Sequence, residues 1–110
     1  GQQTADEWND KGLALYEQGK YDEAVAAFDT AIEIIPQLAE VWSNKGLALD
    51  DQGSYDEAID AFDKAIEINP QDAVAWGNKG LAIYKQGKYD EAVAAYDKAI
   101  EIDPGLAALL

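Results

Sequence analysis

Residues Ala39–Asp72, AEVWSNKGLALDDQGSYDEAIDAFDKAIEINPQD, decide how the chain is read, because versions of this stretch lie on both sides of it. Trp8, Trp42 and Trp76 recur at a fixed spacing of 34 residues. Gly12, Gly46 and Gly80 keep the same spacing, as do Tyr21, Tyr55 and Tyr89, and Pro36, Pro70 and Pro104. A constant period of this length marks a repeat architecture, in which one supersecondary unit buries its apolar face only by stacking on the next. Three copies fill nearly all of the 110 residues. Function then has to come from a surface made by stacking, unless some residue breaks the pattern to do chemistry.

Each copy reads as two helices. Thr4-Ala5-Asp6-Glu7 has the form of a capping box, in which a hydroxyl and a carboxylate satisfy free amides at a helix start. From Ala5 to about Glu17, Trp8, Gly12, Ala14 and Leu15 recur at helical spacing. Gln18-Gly19-Lys20 breaks that pattern and offers a glycine for a left-handed cap. A second helix is predicted from Tyr21 to Ile34, with Asp22 and Glu23 at its positive end and an apolar face of Ala24, Ala27, Phe28, Ala31 and Ile32. Pro36 prevents its continuation. The same reading gives helices over 39–51, 55–68, 73–85 and 89–102. Ser54 with Glu57 makes a second capping-box signature, and Asp72 is placed to cap the fifth helix. Short connections imply antiparallel hairpins. The expected division is a tail at 1–4, three repeats at 5–38, 39–72 and 73–106, and the start of a truncated fourth hairpin at 107–110.

Composition narrows the function. The chain has 22 acidic residues against 8 basic ones, a formal net charge of −14. That field repels nucleic acid and anionic lipid and attracts cationic partners, although acidic surfaces also simply keep proteins dispersed. Cysteine and histidine are absent, which removes disulfides, thiolate and imidazole metal ligands and imidazole acid–base catalysis. No phosphate-binding or nucleophile-elbow glycine pattern occurs. Adjacent carboxylates such as Asp22-Glu23 or Asp50-Asp51 point about 100° apart on a helix and read as a solvated face. No D-x-D-x-D-G calcium loop is present. The expectation is a non-enzyme without cofactor or dedicated metal. No apolar run reaches the roughly 20 residues needed to span a bilayer, and a cytoplasmic location is the default. Gly1 in place of methionine leads us to expect a trimmed chain.

The tryptophan, glycine, tyrosine, alanine, large apolar, alanine, proline order appears three times, in the third copy as Trp76, Gly80, Tyr89, Ala92, Tyr96, Ala99 and Pro104. On these residues the chain resembles three tandem tetratricopeptide repeats. The resemblance implies an all-α solenoid of three antiparallel helix hairpins in a right-handed superhelix, acting as a protein-interaction scaffold. Lys11, Lys45 and Lys79 depart from the family, which usually has leucine before the glycine. Each is expected to pack its methylene stem and reach a nearby carboxylate.

The family resemblance also implies a concave groove lined by the first helices. The matching positions are Asp6, Asn9, Asp10, Leu13, Tyr16 and Glu17 in the first unit, and Glu40, Ser43, Asn44, Leu47, Asp50 and Asp51 in the second. Val74, Gly77, Asn78, Leu81, Tyr84 and Lys85 follow in the third. The family's clamp for the terminal carboxylate of heat-shock chaperones uses lysine, asparagine, asparagine, lysine and arginine. Its positions here are Asp6, Asp10, Asn44, Val74 and Asn78, with every cation replaced. A basic or amphipathic peptide is therefore the expected partner, rather than an acidic tail. The alternative is a fragment of a longer array, or a designed consensus-like scaffold, that self-associates through uncapped terminal faces. The face expected to do so comprises Val93, Tyr96, Ile100, Leu109 and Leu110.

Overall fold

The structure, a computed structural model, describes residues 3–108. Six helices follow one another: α1 (Ala5–Glu17), α2 (Tyr21–Ile34), α3 (Ala39–Asp51), α4 (Tyr55–Ile68), α5 (Ala73–Lys85) and α6 (Tyr89–Ile102). A 3-10 turn at Pro104–Ala108 comes after them, and no strand occurs among the described residues. The expected fourth hairpin at 107–110 falls in part on this turn; Leu109 and Leu110 lie outside the described residues.

The hairpins turn on glycine. Gly19, Gly53 and Gly87 hold φ of 78°, 85° and 83°, a left-handed conformation that costs a residue with a Cβ on the order of 1 kcal/mol. At the middle turn Ser54 N–H donates to Leu49 O and Gly53 N–H to Asp50 O, both at 2.9 Å. This is a Schellman closure, repeated in the other two hairpins. It also overturns one expectation. Ser54 makes no side-chain cap and sits at φ −87°, ψ 67°. Closure of the preceding turn sets its backbone, as it does for Lys20 and Lys88 in the same place. Thr4, with no such turn before it, is extended (φ −80°, ψ 169°) and completes the capping box with Glu7, while Asp72 accepts from Ala75 N–H at 3.1 Å.

Within a hairpin, the ring of the second helix lies on the glycine of the first. A Cβ on Gly12 would collide with the ring of Phe28, and one on Gly46 would stand 2.5 Å from Phe62. Phe28 and Phe62 are completely buried, each contributing about 2–3 kcal/mol of apolar burial. Ala24, Ala58, Ala31 and Ala65 are also fully buried and allow the close approach. Hairpins contact only their neighbours in sequence. The result is an α-solenoid of three layers, 47 × 25 × 21 Å.

Candidate functional site

Contacts between hairpins define an inner and an outer row. α1 touches α3 and α3 touches α5, whereas α2, α4 and α6 make no contact with one another. The first helices thus lie closer together and form the inner face, where the groove is expected.

Stacking uses up part of that groove. Asn9 is buried, and its Oδ1 accepts from Asn44 Nδ2 at 3.0 Å. Tyr16 OH donates to the Asp51 carboxylate. Asp50 is only 6% exposed, and Lys85 Nζ lies 2.7 Å from its Oδ2. Ser43 Oγ is buried, and Leu13 and Leu47 are half-buried against the cores between layers. The hydrogen bond to Asp51, followed by burial, pushes the Tyr16 hydroxyl up to about 12. Lys85 is also raised, by its hydrogen bond to Asp50 against the opposing effect of burial.

Most of the remaining positions are exposed. Asp6, Asp10 and Glu40 are exposed on the first two units, and Asn44 is half-buried. On the third unit Val74 is 61%, Leu81 41% and Tyr84 51% exposed. They line a cleft of about 620 Å³ together with Asn78, Tyr96 and Leu106. At the expected groove positions the exposed side chains are thus acidic on the first two units and largely apolar on the third. A second furrow, about 700 Å³, runs on the outer side over α5 between α4 and α6, with charges of both signs from Asp60, Asp63, Lys79, Lys88, Glu91 and Lys98.

Reading the sequence anticipated only part of a polar ladder between layers. Lys45 Nζ lies 2.7 Å from Asp29 and Lys79 Nζ 2.6 Å from Asp63, so two of the three family-breaking lysines reach a carboxylate as expected. Their ammonium groups also stand 5.4 and 5.2 Å over the rings of Trp42 and Trp76. Lys11 stands 4.8 Å over Trp8 and has no ion-pair partner among the described residues. The Gln52 and Gln86 amides donate to Asp22 and Asp56. Each aspartate lies on the second helix of the preceding repeat. The signal available in the sequence was the recurrence of opposite polar types 16 or 30 residues apart in successive copies, as in Asp29/Lys45 and Asp63/Lys79.

Known proteins place the chain. A family model described as tetratricopeptide repeat matches residues 9–73 and again 44–107. No curated protein matches. Among solved structures, the second repeat domain of Spaghetti (RPAP3), bound to the HSP90 peptide SRMEEVD, superposes with a TM-score of 0.86. It is 24% identical, over 92% of this chain and 94% of that one. MamA is 31% identical with a TM-score of 0.88, over 96% of this chain but only 61% of its own. The Sgt2 repeat domain from Aspergillus fumigatus is 27% identical with a TM-score of 0.87, over 91% and 66%. With the period, the hairpins and the family model in agreement over most of its length, the chain belongs to the tetratricopeptide repeat family.

Proposed function

We propose that this chain is a protein-interaction module that holds a basic or amphipathic peptide or helix along its inner face and performs no catalysis. The observation that carries this reading is the exposure at the expected groove positions: acidic Asp6, Asp10 and Glu40 on the first two units, and Val74, Leu81 and Tyr84, which line the apolar cleft, on the third. Cationic residues at one end of a ligand meet carboxylates there, and apolar residues at the other end remove Val74 and Leu81 from water, about 25 cal/mol per Å² buried. The Spaghetti domain holds SRMEEVD, a peptide that ends in acids. Here Asp6 and Asp10 stand at positions where the family's clamp has a cation and an asparagine, and such a tail is repelled.

Calorimetric titration tests this with three peptides: a lysine-bearing amphipathic one, an apolar one and one ending in acids. The first is expected to bind most tightly and to lose about tenfold in affinity when Asp6, Asp10 and Glu40 are together replaced by lysine. Equal affinity for the acidic peptide, or no response to the charge reversal, overturns the reading. A second reading, self-association through the terminal faces, is favoured by Val93 on the outer side of α6, which is 54% exposed where Val25 and Ile59 of the earlier units are half-buried.

A further inference from the structure

The two internal junctions are built to one specification, and the two ends of the molecule carry its separate halves. At each junction the later first helix presents a lysine, an alanine, an aliphatic residue and a glutamine at positions i, i+3, i+4 and i+7. In α3 these are Lys45, Ala48 and Leu49, with Gln52 at its C-cap; in α5 they are Lys79, Ala82 and Ile83, with Gln86 at its C-cap. The lysine meets an aspartate of the preceding second helix, the glutamine meets another one two turns earlier, and the alanine is wholly buried between them. α1 and its C-cap carry the same set, Lys11, Ala14, Leu15 and Gln18, with Lys11, Ala14 and Gln18 exposed. α6 carries the matching acceptors, Asp90 and Asp97, on either side of Val93, and all three are exposed.

We propose that a second copy of this chain docks α1 onto α6 head to tail, placing Lys11 of one copy on Asp97 of the next and Gln18 on Asp90. The inference rests on the self-association reading and gives it a register. It continues an interface already present twice in the molecule, with charge complementarity at its centre. The contact is heterologous and does not close on itself, so association yields short linear arrays rather than a fixed dimer.

Three features hold it weak. Glu7 stands where the later units bury Val41 and Ala75, and seating α1 takes its carboxylate out of water. The 3-10 turn at Pro104–Ala108, with Leu106 on the neighbouring cleft, crowds the place where the first turn of α1 arrives and has to shift. A net charge of −14 on each copy opposes approach.

Net charge also makes the test discriminating. Asp97→Lys lowers the net charge from −14 to −12, which by simple repulsion strengthens association; the register requires it to weaken. Sedimentation equilibrium of the full chain over a range of concentrations, at roughly physiological ionic strength, reads the difference. The expected result is concentration-dependent growth for the unmodified chain. Lys11→Glu and Asp97→Lys should each weaken it about fivefold. The double variant, and an equimolar mixture of the two single variants, should recover it. Circular dichroism checks that both variants, altered at exposed positions, retain their helices. A chain that stays monomeric throughout removes the self-association reading. A chain that grows, but does so as well or better with Asp97→Lys, keeps association and overturns this register.

Discussion

Lys79 and Lys85 sit on the same helix and each ends on an aspartate, yet their surroundings give the two pairs different weight. Asp63, the partner of Lys79, is 48% exposed in its side chain. Water already solvates that carboxylate, and such pairs contribute about 0–1 kcal/mol. Asp50, the partner of Lys85, is 6% exposed. Removing its lysine leaves a buried charge without compensation, a loss that in enclosed pairs reaches about 3–5 kcal/mol. Lys85 itself remains one-third exposed, so water reaches part of the site and a value of about 2 kcal/mol is expected. Lys79→Met, which keeps most of the stem over Trp76, should change the urea midpoint little; Lys85→Met should lower it clearly. Adding Asp50→Leu to Lys85→Met should restore most of that loss, since no unpaired charge then remains. Equal effects from the two lysines would sink the argument.

At the scale of the element, the helices and their ends were legible because their signals are local. Glycine at the left-handed position and proline after an extended residue act on the backbone within a few residues, and all six helices run where the spacing predicts them. Ser54 shows where a local motif misleads. Its S-x-x-E pattern matches a capping box, but the turn closed by Gly53 has already set its ψ at 67°, and the hydroxyl caps nothing. Thr4 carries the same pattern with a free backbone before it and makes both bonds. Thermal melts should therefore separate two otherwise similar changes: Thr4→Ala costs about 1 kcal/mol, and Ser54→Ala costs no more than a few tenths. A comparable loss from both would restore the sequence reading. The candidate groove is legible in the sequence only in part. Its helix face follows from the period, but whether Asn9 or Asp50 faces a ligand or the next layer depends on the stagger between hairpins. That stagger is a tertiary quantity, fixed by pairs such as Asn9–Asn44 and Asp50–Lys85 that lie 35 residues apart in the chain.

For the whole molecule, the absence of contacts between the first and third hairpins turns stability into a sum of three hairpin terms and two junction terms. The middle hairpin holds both junctions. Its α3 buries Val41, Ala48, Leu49 and Asp50, and α4 buries Ala58, Ala61, Phe62 and Ala65. The third hairpin holds one junction, and where the others bury Phe28 and Phe62 completely it has Tyr96, which is only half-buried over Gly80. Burial raises the Tyr96 hydroxyl above its ordinary range, so this ring brings a polar group into a place the other hairpins fill with hydrocarbon. Opening α6 therefore costs less than opening α4, since it gives up a less enclosed ring and no junction beyond it. Native-state hydrogen exchange should find the slowest amides in α3 and α4 and the fastest helical amides in α6. Tyr96→Phe should slow exchange in α6 while leaving α2 unchanged, because α2 shares no contact with the third hairpin. Uniform protection across all six helices would mean that the junctions are strong enough to make the three hairpins unfold as one, and the additive description would give way to a single transition.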